Sequence, residues 1–104
     1  MNDIVYIFNN ERFFLWCGSY GKKNKYFLFD TEKGDIFRLN ATSFKMLSLF
    51  NGEKTVMEIL NILLSQYSVS KEKLERDFYE LVKVWIKKEI LIERRKNNGR
   101  DESD

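Results

Sequence analysis

The stretch Lys25-Tyr26-Phe27-Leu28-Phe29-Asp30-Thr31-Glu32-Lys33-Gly34-Asp35-Ile36-Phe37-Arg38-Leu39-Asn40 decides the fold, because the grammar of the chain changes at its end. Lys25 to Asp30 reads as a strand. Thr31 to Gly34 is a short turn in which Gly34 supplies φ > 0. Asp35 to Leu39 returns as a second strand, with Phe37 and Leu39 on one face and Ile36 and Arg38 on the other. Asn40 is placed to cap a helix. Residues before it are rich in β-branched and aromatic types broken by turn signals, and those after it follow the period of helices. Strands first and helices afterwards is the signature of an α+β domain.

Three helices follow from Asn40. Ala41 to Phe50 is the first, with Asn51-Gly52 as a stop of the left-handed type. Thr55 with Glu58 three residues on forms a capping box. It opens a second helix whose Val56, Ile59, Leu60, Leu63 and Tyr67 recur at helical spacing. Ser70 caps the third, from Lys71 to about Lys88. Ile90-Leu91-Ile92 is too short to assign by period. From Glu93 to Asp104 four basic and four acidic residues stand among Asn, Gly and Ser without an apolar residue, as in a disordered charged tail. The expected domain therefore spans 1–92 and the tail 93–104.

Towards the N-terminus, Val5 to Phe8 and Arg12 to Cys17, joined by Asn9-Asn10-Glu11, read as a hairpin. Gly18 to Asn24 reads as a loop.

Composition narrows the function. The chain has 104 residues, 43% hydrophobic and 15% aromatic, which suits one small globular domain and not a disordered one. Eighteen basic against sixteen acidic residues leave +2, too little for a dedicated duplex binder. Without histidine, neither a Ser-His-Asp or Cys-His nucleophile nor a mixed Cys/His zinc site can be built. The lone Cys17 excludes an internal disulfide and, with no base to activate it, reads as a small buried hydrophobe. The longest apolar runs, Ile4 to Phe8 and Phe13 to Cys17, are five residues long, too short to span a bilayer or to form a signal-peptide core. The expectation is a cytoplasmic domain without cofactor, metal or chemistry of its own. Asp30 and Asp35 flank a turn and read as turn and edge residues, not as an acid/base pair. Gly18, Gly21 and Gly34 form no phosphate-binding spacing. Lys22, Lys23 and Lys25 beside Tyr20, Tyr26 and Phe27 read as a solvated loop next to strand aromatics, with a small nucleic-acid surface as the other reading.

Two features point to a partner. On the third helix Leu74, Trp85, Phe78 and Leu81 share one side, Val82 and Ile86 widen it one way, and Val84 with Asp77 widens it the other. The arc is roughly 200°, against a little over 100° for a helix packed on one side. Either both flanks are covered by the domain, or one is open as a groove. The Asp35–Leu39 strand raises a matching question. At a sheet edge, Asp35 and Arg38 either protect unpaired backbone groups or frame a place where a peptide adds as a strand.

From Asp30 onward the residues resemble the PqqD-like family. The resemblance rests on Leu39-Asn40-Ala41-Thr42 and on Met46-Leu47-Ser48-Leu49-Phe50-Asn51-Gly52-Glu53-Lys54-Thr55-Val56-Met57-Glu58-Ile59. It continues in register through Leu63, Tyr67, Val69, Leu74, Asp77, Leu81 and Leu91. Asn51 to Ile59 is its most specific part. The resemblance implies a winged-helix-like domain of α+β class, with a three-stranded antiparallel sheet followed by three helices and room for an extra N-terminal strand. It also implies binding of the leader of a ribosomally made precursor peptide, as by a RiPP recognition element, and its presentation to a modifying enzyme. That enzyme is commonly a radical-SAM maturase or a lasso-peptide leader peptidase. In related domains the leader adds beside the third strand and packs against the third helix. This implies peptide contacts at Asp35, Ile36, Phe37 and Arg38, with Asp77, Leu81, Val84 and Lys88 lining the helix side, while Phe37 and Leu39 keep side chains in the core. No nucleic acid and no membrane is implied as a partner. Two departures stand out: Glu89 replaces the usual glycine that ends the third helix, so that the helix is free to run on, and residues 1 to 24 match no family pattern. The alternatives are a winged-helix DNA-binding regulator and a purely structural subunit anchored by its aromatic N-terminus. The regulator would need a basic third helix, yet Glu72 and Glu80 are mixed with Lys73, Arg76, Lys83 and Lys87.

Overall fold

In the computed structural model, which describes residues 1–67 and 70–94, strands β1 (Val5–Phe8), β2 (Phe13–Tyr20), β3 (Lys23–Asp30) and β4 (Ile36–Leu39) precede α1 (Ala41–Ser48). The chain continues through β5 (Asn51–Thr55), α2 (Val56–Gln66), α3 (Lys71–Lys87) and β6 (Leu91–Glu93). The expected three-stranded antiparallel sheet is the meander β2-β3-β4. Gly21, at φ 66°, forms with Lys22 the two-residue turn between β2 and β3, and Phe13 pairs with Asp30 and Tyr20 with Lys23 at the ends of the ladder. A glycine at the first turn position takes the positive φ at no steric cost, so the strands run right up to the turn. The loop expected over Gly18 to Asn24 is therefore mostly strand. Its two glycines resemble loop punctuation, but Gly18 sits inside β2.

The N-terminal strand is present, though not as half of a hairpin with β2. β1 is the centre of a second antiparallel sheet, in the order β5-β1-β6. It pairs with β5 through Val5↔Thr55 and Ile7↔Asn51, and with β6 through Phe8↔Leu91 and Tyr6↔Glu93. Between the two β5 pairs the register shifts, and Gly52 at φ 85° lies in the irregular segment. Asn51-Gly52 thus opens a strand and does not stop α1, whose cap is Leu49, with its N–H bonded to the carbonyls of Met46 and Leu47. The unassigned triplet Ile90-Leu91-Ile92 supplies β6, and Glu93, expected in the tail, closes that strand. Arg94, also expected in the tail, donates its N–H to the Val5 carbonyl at 2.8 Å, and the expected tail from 95 on lies outside the described residues.

The helix starts follow their sequence signals. Asn40 Oδ1 accepts the Ser43 N–H at 2.7 Å at the start of α1. In the capping box, Thr55 Oγ1 accepts from the Glu58 N–H at 3.2 Å, and Glu58 Oε1 accepts from the Thr55 N–H at 2.8 Å. These bonds satisfy donors that the first helical turn leaves orphaned. The helices and the inner faces of both sheets share one core, in which Leu28, Phe50, Ile59, Leu63, Phe78, Val82 and Leu91 are buried. Each such side chain contributes about 1.5–3 kcal/mol when fully removed from water.

Helix α3 does not run on through Glu89. The Glu89 N–H bonds to the Ile86 carbonyl at 3.1 Å and the Ile90 N–H to the Trp85 carbonyl at 2.9 Å, the paired closing bonds of a Schellman motif. Glu89 adopts φ 65°, the only positive φ of a non-glycine among the described residues. Its carbonyl also accepts from Asn9 Nδ2 at 3.0 Å, which ties the helix end to the β1–β2 turn. Tertiary pairing of β6 with β1 thus stops the helix at a residue that is not glycine.

A left-handed conformation costs a side-chain-bearing residue about 1–2 kcal/mol. Glu89→Gly is therefore expected to stabilise the domain by about 0.5–1 kcal/mol, after the loss of an exposed charge contact and the extra freedom of glycine in the unfolded chain. The check is a thermal melt, which should rise by several degrees.

Candidate functional site

β4 has one bonded neighbour, β3, and no strand among the described residues pairs with its other side. The register places Phe29 opposite Ile36 and Tyr26 opposite Leu39. The Asp30 N–H donates to the Asp35 carbonyl at 2.8 Å. Because bonding alternates along an antiparallel pair, the backbone groups of Phe37 and Leu39 turn towards β3, while those of Ile36 and Arg38 turn to the free side.

Helix α3 resolves its over-wide arc asymmetrically. Leu74, Phe78, Val82 and Trp85 are buried, and Ile86 packs against the core on one flank. On the other flank Val84 is 45% exposed. That open flank faces β4 across a cavity of about 690 Å³ whose lining includes Asp35, Phe37, Val84 and Lys88. The Lys88 ammonium lies 5.8 Å from the centre of the Phe37 ring, so it covers the aromatic face while remaining in water. Further along the same flank a second cavity, about 240 Å³, opens between the start of α1 and α3, lined by Thr42, Asp77 and Leu81 among others. Asp77 is held there by Lys73 at 3.2 Å.

Of the residues expected at the site, Asp35, Phe37, Val84 and Lys88 meet in the larger cavity, and Asp77 and Leu81 in the smaller. Phe37 is not a core residue as expected. At 36% exposure it forms the strand-side wall of the groove, and Leu39 alone of that pair packs on the core. The side chains of Ile36 and Arg38 project from the opposite face of the sheet, so these two residues offer the groove backbone groups only. Cys17 was expected to be buried and is exposed, because the β2–β3 hairpin extends past the core.

The sequence reading missed the end wall of the larger cavity. Arg12 Nε donates to Asp30 Oδ1 at 3.0 Å and Arg12 Nη2 to Asp30 Oδ2 at 2.9 Å, a bidentate pair in which the carboxylate is 4% exposed. Arg12 Nη1 also reaches Glu89 Oε1 at 3.2 Å. Asp30 Oδ1 further accepts the N–H groups of Glu32 and Lys33, which shapes the turn into β4. Asp30 is therefore more than a turn residue. The Arg12 hydrogen bonds, helped by the Lys33 and Glu32 N–H groups, hold its carboxyl down to about 2 from an ordinary 3.8, against the opposing effect of burial. Recognition of the two-residue turn at Gly21-Lys22 would have revealed the pair, since the register it sets carries Arg12 to the side of Asp30.

No group of residues able to hold a metal ion occurs among the described residues, and no helix among them is long and apolar enough to cross a membrane. A family model described as coenzyme PQQ synthesis protein D (PqqD) matches residues 25–91. Among solved structures, TbiB1 in complex with the TbiA(beta) leader peptide is similar to this chain, at 22% identity and a TM-score of 0.57. That likeness covers 83% of this chain and 93% of TbiB1. No curated protein sequence matches.

The Asp30 carboxyl titrates below its unfolded value, so the stability it contributes is complete above the ordinary carboxylate range and is lost as pH falls from about 4 towards 2. Urea midpoints measured between pH 6 and 2 should drop through that window for the wild type. The drop should be shallower for Asp30→Asn, which starts less stable at neutral pH.

Proposed function

This chain belongs to the PqqD family, and on that premise we propose that it binds the leader segment of a ribosomally made precursor peptide and presents it to a maturation enzyme. The observation that carries this reading is the free edge of β4 lying alongside the open Val84 flank of α3. An extended peptide placed there gains backbone bonds from Ile36 and Arg38 and packs alternate side chains between Phe37 and the stripe Asp77, Leu81, Val84 and Lys88. The stripe is about 16 Å long, enough for about five extended residues. The similarity to TbiB1, a protein solved in complex with a leader peptide, supports leader binding as the role.

The protein itself is read as non-catalytic. Its contribution to the reaction is proximity, since a tethered precursor meets the enzyme at a raised effective concentration. The enzyme is a radical-SAM maturase or, for a lasso peptide, a leader peptidase, and the setting is the cytoplasm. No observation favours the DNA-binding alternative: the buried side of α3 is committed to the core, and its outer side alternates acids with bases.

The test is a calorimetric titration with a synthetic leader of the cognate precursor, for which a dissociation constant near micromolar or tighter is expected, about −8 kcal/mol. Proline at Ile36 or Arg38 removes an N–H from the free side only, so the fold should survive while the leader loses one bond, about 0.5–1.5 kcal/mol. Proline at Phe37 removes an N–H from the β3 side and should lower the melting temperature instead. Val84→Asp should stay folded and bind leader poorly, whereas Phe78→Asp, which buries an unpaired charge, should unfold the domain. Leader shifts in an amide spectrum that spare β4 altogether would refute the groove.

A further inference from the structure

The groove uses one face of the β2-β3-β4 meander and its free edge. The opposite face has an apolar, solvent-facing centre with basic residues at its border. Cross-strand pairing puts Phe14 beside Phe29, Trp16 beside Phe27, and Ile36 beside Phe29 from the other side. With Tyr20 these residues line a shallow concavity of about 470 Å³. Phe14 is 47% exposed, Tyr20 55% and Ile36 61%. Solvated sheet faces normally alternate to polar residues, and clusters of large exposed side chains mark contact surfaces. The face is also ordered by its own contacts. Phe14 and Phe29 stack with ring centres 4.6 Å apart, and the Trp16 indole lies across Gly18, in space that a Cβ there would occupy.

Its charges have one sign. The ionisable strand residues that project from this face are Lys23, Lys25 and Arg38, with Lys22 at the hairpin tip, while Glu32 and Asp35 line the groove on the other side. A second copy of the chain stacked face to face would bring no carboxylate to these cations. A nucleic acid would complement the charge, but Phe14 and Phe29 already cover one face of each other's rings, which leaves a poor platform for successive bases. A protein surface with an apolar centre and a carboxylate rim satisfies both the aromatic cluster and its basic border.

We infer that the Phe14-Trp16-Phe27-Phe29 face of the meander docks on the maturation enzyme, through an apolar patch of that enzyme bordered by acidic residues. The inference rests on the leader-binding reading and adds the second contact that presentation requires. β4 belongs to both surfaces: its edge and Phe37 side serve the groove, and its Ile36 side serves the docking face. Leader and enzyme therefore bind at once, on opposite faces of one sheet.

The experiment measures, separately, binding of the full chain to the synthetic leader and to the purified enzyme that modifies the cognate precursor. Trp16→Glu and the double variant Lys23→Glu/Lys25→Glu are compared with wild type. The expected result is a loss of enzyme affinity of about tenfold or more for each, with leader affinity unchanged and the fold retained by circular dichroism, and a wild-type enzyme affinity that falls with salt. Equal enzyme binding by wild type and both variants overturns the inference, as does a wild type that binds leader but not enzyme. A dimer in sedimentation that Trp16→Glu dissociates, or single-stranded RNA binding abolished by the lysine variants, also overturns it in favour of those occupants. Absence of leader binding by wild type, measured without enzyme, refutes instead the reading on which the inference rests.

Discussion

The structure turns on the Arg12–Asp30 pair. Arg12 ends the β1–β2 turn and Asp30 ends β3, so the pair closes the β2–β3 ladder where the chain enters the meander and where it turns into β4. Its bidentate geometry leaves little rotational freedom, and Asp30 Oδ1 also accepts the Glu32 and Lys33 N–H groups. The Arg12 carbonyl in turn accepts both the N–H and the hydroxyl of Thr31. A carboxylate this buried is tolerable only because every one of these partners is present. The same guanidinium reaches Glu89, where α3 ends. One side chain therefore holds the turn into β4 and touches the residue at which the Schellman bonds close α3, so both walls of the groove meet at Arg12.

The meander then works as a wall with two different faces. Its inner face donates Phe13, Leu28 and Leu39 to the core and Phe37 to the groove. Its outer face keeps the aromatic rings in solvent. The fold tolerates this because cross-strand aromatic pairs stabilise a sheet through mutual contact even when no other layer covers them. The free edge of β4 is short, and its outer side ends in Arg38, which limits indiscriminate pairing with other strands while leaving backbone groups available to a peptide that also fits the helix flank.

Much of this was legible in the chain. The strand-turn-strand of Lys25 to Leu39, the Asn40 cap, the Thr55–Glu58 box and the amphipathic period of α2 and α3 are local signals, and each survives into the structure. The surplus arc of α3 left two outcomes open, coverage on both flanks or one open flank, and the exposed Val84 shows that the structure takes the second. The pairings of β1 were not legible. Its partners lie at residues 51–55 and 91–93, and neither segment carries a strand signal of its own: β5 is the polar sequence Asn51 to Thr55, and β6 is three residues long.

The sequence by itself determined the order of elements, the helix starts and the presence of an edge strand beside an over-apolar helix, because capping, turn chemistry and periodicity act within a few residues of one another. Only the tertiary structure decided which flank of α3 stayed open, that Glu89 takes a left-handed turn usually given to glycine, and that Arg12 meets Asp30. Those outcomes depend on contacts between residues far apart in the chain, such as Asn9 with Glu89 and β1 with β6. Local propensities are worth a few tenths of a kcal/mol to about 1 kcal/mol each, and the summed burial of the core outweighs them wherever the two conflict.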